Sequence, residues 1–264
     1  MAQALLKASC HDALVLENRL LGAGPSAGGI WKLVLDFPGW TLWRPGQFVM
    51  LRSGTFGQEL IWGRPISIGD YQNGQLTLYI LNTGRGTEKL AALKQGDACT
   101  VWGPLGNGFA QEKNASTLML CGGIGIAPFV GYTRAHPAPE KLTLLFGHRL
   151  PLDSYPWDAF SSITARGYLE QGPADLQQFI DAMREAMTAT AAEQGLVLSC
   201  GPLPFLRTVQ RLARETGART QLSLENRMGC GVGACLGCVA EDDQGKRVQT
   251  CSRGPVFWST KITV

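Results

Sequence analysis

Four cysteines follow one another as Cys230-x4-Cys235-x2-Cys238-x12-Cys251 in a chain of 264 residues. The first part, C-x4-C-x2-C with a further cysteine downstream, is the spacing of plant-type 2Fe–2S ligation. Two irons need four thiolates converging on one small volume: a tight loop brings three, and a returning hairpin brings the fourth. Gly229, Gly231, Gly233, Ala234 and Gly237 lie between the ligands. Such small residues let the backbone wrap a cluster and aim N–H groups at its sulfurs, which tunes the reduction potential. A zinc site usually shows two C-x2-C knuckles. One is present here, so the pattern favours iron–sulfur over zinc. The expected metal ligands are Cys230, Cys235, Cys238 and Cys251.

A dense group of cysteines argues for metal rather than a disulfide framework, provided the chain sits in a reducing compartment. The N-terminal twenty residues carry Lys7, Asp12 and Glu17 and lack a long apolar run before a small-residue cleavage site. They do not read as a signal peptide, and the expected location is cytoplasmic. The remaining cysteines, Cys10, Cys99, Cys121 and Cys200, read as small buried hydrophobes. Apolar residues make up 45% of the chain, enough for a core, and the net charge of +3 is too dispersed to track nucleic-acid phosphates. No apolar run is long enough for a membrane span. His11, His136 and His148 fall in no motif and read as structural or exposed.

The organisation changes twice along the chain. Up to residue 108, alternating apolar segments at 30–36, 47–52 and 74–81 are punctuated by Arg44-Pro45-Gly46 and Asn73-Gly74, the pattern of an antiparallel barrel. From 109 to 221, buried strands at 117–121, 141–147 and 196–202 alternate with helical patterns. Leu176, Phe179, Ile180, Met183 and Met187 recur at helical spacing, and 205–214 reads as a second helix. This implies a parallel sheet with helices on its faces. The stretch His136-Pro137-Ala138-Pro139 reads as a surface loop, and 151–174 as irregular. From 222 to 264 the chain is Gly- and Cys-rich and too small for its own core, a role a metal centre fills. The expected fold is therefore α+β and multidomain: a barrel (1–108), a Rossmann-like α/β unit (109–221) and a cluster-binding segment (222–264).

Three further motifs admit two readings each. In Arg64-Pro65-Ile66-Ser67 the guanidinium can pair with a pyrophosphate and the hydroxyl with a flavin ring nitrogen, or the segment is a turn with an exposed arginine. Gly84-Arg85-Gly86-Thr87 can open a helix toward phosphate, or it is a glycine turn with Thr87 as N-cap. The turn Gly122-Gly123-Ile124-Gly125-Ile126-Ala127-Pro128 suits a dinucleotide phosphate after a strand, although the full G-x-G-x-x-G and its downstream acid are absent. Cys200-Gly201-Pro202 ends another parallel strand, where open sheets bind ligands.

In their order along the chain, RPGQFVML, RPIS, GRGT, GPLGNGF, GGIGIAP and CGP resemble the ferredoxin–NADP reductase superfamily. LENRMGCGVGACLGCV followed by CSRGPVF narrows the resemblance to the electron-transfer subunits of NAD-linked, two-component dihydroorotate dehydrogenases. The resemblance implies FAD, a 2Fe–2S cluster and NAD as cofactors. It implies FAD contacts from Arg64, Pro65, Ile66, Ser67, Leu78, Tyr79, Ile80, Gly86 and Thr87, and nicotinamide-nucleotide contacts from Gly122, Gly123, Gly125, Cys200, Gly201 and Pro202. Ile66 stands where many superfamily members have an aromatic, and Leu81-Asn82-Thr83 is about one residue longer than in the dihydroorotate branch.

The activity implied is oxidoreduction in pyrimidine biosynthesis. Electrons would pass from the FMN of a catalytic partner subunit through 2Fe–2S and FAD to NAD+, in a hetero-oligomer. Cofactors carry the chemistry, so no acid–base triad is expected. A ferredoxin–NADP transhydrogenase or sulfide dehydrogenase subunit would share every motif with a different partner. An oxygenase reductase would carry a full ferredoxin domain, and a zinc-stapled binding module would leave the flavin motifs unexplained. Met228, Val232 and Leu236, near the cysteines, suit either a docking surface or local packing.

Overall fold

The computed structural model describes residues 8–24, 27–40 and 42–264. Lys7 and the rest of the first seven residues, part of the N-terminal segment weighed above as a leader, lie outside the described residues. Six strands, β1 (Ser9–Leu20), β2 (Ile30–Asp36), β3 (Phe48–Ser53), β4 (Arg64–Gln72), β5 (Gln75–Leu81) and β6 (Ala98–Leu105), close into a barrel in the order β1-β2-β5-β4-β3-β6. Every pairing is antiparallel. Alternation drives the closure. Leu33 and Leu35 from β2, Val49 and Leu51 from β3, and Leu76, Leu78 and Ile80 from β5 point into one interior core. Each such fully buried side chain contributes about 1.5–3 kcal/mol. The short helix α1 (Arg85–Ala91) bridges β5 to β6.

The second layer is a six-stranded sheet. Its parallel part runs through β7 (Thr117–Gly122), β8 (Leu142–His148), β9 (Thr164–Leu169), β10 (Leu196–Cys200) and β11 (Arg219–Ser223), and with the antiparallel edge strand β14 (Val256–Trp258) the order is β14-β11-β10-β7-β8-β9. Helix α2 (Ala127–Ala135) faces the barrel, and Arg134 on it pairs with Asp70 of β4. Helices α3 (Pro173–Ala192) and α4 (Leu203–Thr216) cover the other face. There Phe179, Met183 and Met187 bury against Leu118, Leu120 and Val197. Because consecutive parallel strands leave β7 in opposite directions, the carboxyl ends of β7 and β10 form a crevice.

The last segment holds β12 (Val239–Asp242), β13 (Arg247–Gln249), α5 (Thr250–Arg253), β14 (Val256–Trp258) and β15 (Ile262–Thr263). Strands β13, β12 and β15 make a small sheet of their own, whereas β14 adds an antiparallel edge to the large sheet beside β11. The division at 221/222 therefore falls inside β11. The segment does lack a sufficient core of its own: Cys238 and Cys251 pack on Phe48, Met50 and Leu105 of the barrel.

Three local expectations are corrected. Residues 151–174 contain an ordered strand, β9, paired along its length with β8. In the Pro-rich loop, His136 and Ala138 are buried, because the His136 ring stacks on Tyr132 and closes on the Ala138 backbone. Cys99, Cys121 and Cys200 are buried as expected, but Cys10 lies on an outward face of β1 and is exposed.

Candidate functional site

Strand β4 opens with Arg64-Pro65-Ile66-Ser67, laddered to β3 with Ser67 opposite Phe48 and Arg64 opposite Leu51. Pro65, Ile66 and Ser67 line a cleft of about 310 Å³ together with Tyr79, Thr87, Gly125 and Cys200. Arg64 stands beside the cleft at the start of α1. Its Nη1 donates to the Trp62 carbonyl at 2.8 Å, and its guanidinium lies 5.4 Å from the Phe56 ring centroid. The same guanidinium occupies the space a side chain at Gly86 would need. Thr87 is the third residue of α1 rather than its N-cap. Its hydroxyl accepts from the N–H groups of Thr83 and Gly84, both at 3.1 Å, and donates to the Gly84 carbonyl at 2.9 Å. It thereby ties the phosphate-like turn to the helix start.

Period-two alternation divides β5. Tyr79 faces the cleft, packed against Gly69, while Leu78 and Ile80 point into the barrel core. Side-chain contact with anything in the cleft therefore falls to Tyr79, and its two neighbours have only backbone to offer. The ladder between β4 and β5 runs no further than Ile68–Leu78, which leaves that edge of β5 free of a strand partner from Tyr79 onward. Burial, with the Asp70 charge adding, pushes the Tyr79 phenol up to about 12, so it serves as a neutral donor.

The two nucleotide motifs meet backbone to backbone. Cys121 and Cys200 are in register on β7 and β10, and Gly125 sits so tightly on the Cys200 carbonyl that a Cβ there would overlap it. Gly122, Gly123 and Pro202 line a second cavity of about 530 Å³. It continues past Gly147, His148 and Arg149 at the end of β8 to Glu170 after β9, and Ile124 and Leu81 border both cavities. Gly201 itself packs on Phe205 and the Gly122 backbone. Burial first, then the Glu225 carboxylate, pushes the Cys200 thiol far above its ordinary value, with a Ser223 hydrogen bond opposing. Cys200 is therefore a neutral wall of the cleft and not a nucleophile.

The cysteine loop is held on the barrel by polar ties. Trp102 Nε1 donates to the Cys230 carbonyl at 3.0 Å, and Asn107 Nδ2 donates to the carbonyls of Arg253 and Val256 at 3.2 and 2.8 Å. Gly231 adopts φ +74° with its Cα turned onto Met50, where a Cβ would come within 2.5 Å of Cγ, so only glycine fits. Backbone N–H groups aim at sulfur throughout: Gly233 at Cys251 (3.1 Å), and Val232 and Cys235 at Cys230 (3.4 Å each). Cys251 N–H likewise donates to Cys238 Sγ at 3.4 Å. Partial burial raises the Cys230 thiol, but the N–H groups of Cys235 and Val232 and the Cys235 thiol outweigh it and bring it down to about 7. Burial and then the Cys238 thiol push Cys251 up to about 12, against the Gly233 N–H. Cys238 and Cys251 are buried while Cys235 is exposed, so one side of the group faces the barrel and the other faces solvent. Preset N–H donors around thiols that interact with one another are the chemistry a thiolate-held iron–sulfur centre requires.

Residues 225–263 match the family model described as the iron–sulfur cluster binding domain of dihydroorotate dehydrogenase B. The chain is 30% identical to the dihydroorotate dehydrogenase B (NAD(+)) electron transfer subunit of Caldanaerobacter subterraneus subsp. tengcongensis, over 95% of this chain and 97% of that one. It belongs to this family. The relative of the same description from Listeria monocytogenes is 32% identical over 94% of this chain and 99% of its own. Among solved structures, the NADH-dependent reduced ferredoxin-NADP oxidoreductase superposes with a TM-score of 0.79 at 23% identity, covering 95% of this chain and 89% of that one. That likeness establishes a shared fold.

Several lining residues were not singled out in the sequence. Ser223 ends β11, and Glu225 and Asn226, at the start of the LENRMGC segment, follow it into the first cleft; His148, Arg149 and Glu170 line the second. Outside that segment their signal was positional only: each lies at or just after the carboxyl end of a parallel strand. Arg149 Nη2 pairs with Glu170 at 2.8 Å, setting a cation and an anion in the lining of the second cavity. No helix among the described residues is long and apolar enough to cross a membrane.

Proposed function

We propose that this chain is the electron-transfer subunit of an NAD-linked dihydroorotate dehydrogenase, passing electrons from an FMN-bearing catalytic subunit to NAD+ in the cytoplasm. The single observation that carries the reading is one continuous line of sites. The cysteine loop packs on β3 and β6, the flavin-type cleft lies beside it through Phe48 and Met228, and the nucleotide cavity opens beyond Ile124.

In this reading Cys230, Cys235, Cys238 and Cys251 hold a 2Fe–2S cluster. Pro65, Ile66, Ser67, Tyr79 and Thr87 line the FAD site, with Arg64 and Gly86 at its phosphate end. Gly122, Gly123, Gly125, Cys200, Gly201 and Pro202 shape the NAD site. When bound, the cluster supplies one-electron transfer and the flavin both one- and two-electron transfer, which suits a path ending in a nicotinamide. The chain's own task is positioning. Ser67 and Tyr79 offer hydrogen bonds at the cleft wall, the Gly125–Cys200 contact fixes the distance between the two cavities, and Ile124 with Leu81 keeps their junction apolar. The three modules divide near 108 and, with β11 assigned to the sheet, near 224.

The deciding experiment combines two measurements on anaerobically purified protein: the visible spectrum with iron and sulfide assays, then NAD+ reduction on adding the catalytic subunit and dihydroorotate. Flavin and iron–sulfur bands with about two irons and two sulfides, and turnover only with both subunits, support the reading. A colourless zinc protein, or a coloured one inert with that partner, overturns it.

A further inference from the structure

We propose that Phe48 and Met228 form a dry partition between the cysteine centre and the flavin-type cleft, and that Met228 holds the reduction potential of that centre down by keeping water and polar groups off its inner side. The inference rests on the function proposed above and deepens it by naming what separates two of its centres.

The partition follows from where two side chains stand. Strand β3 alternates, so Val49 and Leu51 point into the barrel while Phe48 and Met50 point out. On that outer face Phe48, Met50 and Leu105 share one small core with Cys238 and Cys251, and Met228 packs against it. Among the described residues of this core and its margin, only Phe48 and Met228 also line the cleft of about 310 Å³. Phe48 belongs to the barrel, and Met228 precedes the first cysteine of the loop by two residues, so both modules build the wall. Pro255 continues it. A Cβ on Gly106 would lie 2.5 Å from Pro255 Cδ and 3.1 Å from Phe48 Cε1, and Pro255 lines the same cleft. Met228, which the sequence left between docking and packing, is therefore an inner residue.

The polar side chains near the partition are engaged elsewhere. Asn226 Nδ2 donates to the Val239 carbonyl at 3.0 Å and to Thr250 Oγ1 at 3.1 Å, and its Oδ1 accepts from the Arg227 N–H at 2.8 Å. Thr250 is fully buried, and its N–H donates to the Cys238 carbonyl at 2.8 Å. Glu225, also in the cleft, stands close enough to Cys200 for its charge to raise that thiol, which sets it on the nucleotide side. A buried water needs two to four polar partners, and the side chains of Phe48, Met228 and Pro255 offer no strong one. The apolar shell of a metal centre controls solvent access and local dielectric, and through them its potential. Reduction adds negative charge to an iron–sulfur centre, so a dry inner wall disfavours the reduced form and keeps the potential low. A low potential suits a centre that must pass its electron onward to NAD+.

The test is a redox titration of the full chain with its cofactors, followed by the EPR signal of the reduced cluster. Met228→Gln keeps the length and flexibility of the side chain and brings an amide to the wall. It is expected to raise the ratio of reduced to oxidised cluster at a fixed potential by roughly tenfold, about 59 mV for one electron. Met228→Ala opens the wall to water and is expected to shift the potential in the same direction; it serves where the glutamine variant assembles no cluster. Met228→Leu, apolar and of similar volume, is expected to keep the potential of the parent. An unchanged potential in the glutamine and alanine variants overturns the proposal. So does an equal shift in the leucine variant, which would mark a packing effect rather than exclusion of polar groups. A parent chain that holds no flavin or no iron–sulfur centre overturns the functional reading itself, whereas a parent holding both, with a potential insensitive to Met228, overturns the partition alone.

Discussion

The guanidinium of Arg64 fills the space above Gly86, so that the first residue of β4 closes directly on the first turn of α1. The neighbour that a new Cβ would strike is the far end of a flexible side chain, and it can swing away. Gly86→Ala is therefore expected to cost about 1 kcal/mol or less in stability, while displacing the arginine from the helix start. Losing one charge-assisted hydrogen bond to a ligand costs about 1.5–3 kcal/mol, so flavin retention should fall by roughly ten- to a hundredfold. Thermal unfolding with flavin-to-protein absorbance ratios checks both. A variant that keeps its flavin as tightly as the parent would show that Arg64 does not touch it.

Gly125 makes the opposite case. Its Cβ would strike the Cys200 carbonyl, which belongs to a central strand hydrogen-bonded on both sides. Backbone there cannot step aside, and overpacking typically costs about 1–3 kcal/mol. Gly125→Ala is expected to lower the denaturation midpoint and to raise the KM for NADH in dye reduction. Gly123→Ala, with open space above it but φ +54°, should affect stability through backbone strain without moving β10.

How much of this was legible depended on whether function or packing set the pattern. The cysteine spacing and the Gly122–Pro128 turn were readable because their geometry permits few other residues. Strand β1 was not, since only Ala13 and Val15 on it are buried in the hydrophobic core, and its other apolar residues, Leu14 among them, break the alternation by lying exposed or half-buried. Edge strand β9 has no fully buried residue, so it offered no apolar signal. The Leu78-Tyr79-Ile80 contact set was read as a block where alternation assigns only Tyr79 to the cleft. Trp62 carried no motif at all. Its place beside Cys235 arises from tertiary packing across the Gly229 backbone.

The proposed cluster ligands separate from the other cysteines by substitution. Cys235→Ser and Cys251→Ser are each expected to lower iron below the roughly two per chain of a 2Fe–2S centre, measured by iron assay and the spectrum of the dithionite-reduced protein. Cys251→Ser should also destabilise the C-terminal segment, because its side chain is part of the small core shared with Phe48 and Met50. Cys99→Ser and Cys121→Ser, buried elsewhere, should leave iron unchanged. Full iron content in the Cys235 and Cys251 variants would remove these residues from the ligand set.

In cluster-free protein the N–H groups of Cys235 and Val232 bring the Cys230 thiol from its ordinary 9.0 down to about 7. The sign follows from the thiolate being favoured in the folded loop. Cys230 binds its proton less tightly folded than unfolded, so its contribution to stability is present in full above about 9 and is lost as the pH falls through about 7. The thiolate is also the reactive form. Alkylation at Cys230, followed by peptide mass analysis, should therefore rise with a midpoint near 7 in folded apoprotein and near 9 in denaturant. Cys251, pushed up to about 12 by burial and its Cys238 neighbour, should stay unmodified across that range until the loop unfolds. Equal midpoints for Cys230 in the folded and unfolded chains would show that the sulfur-directed N–H groups are not preset before the cluster assembles.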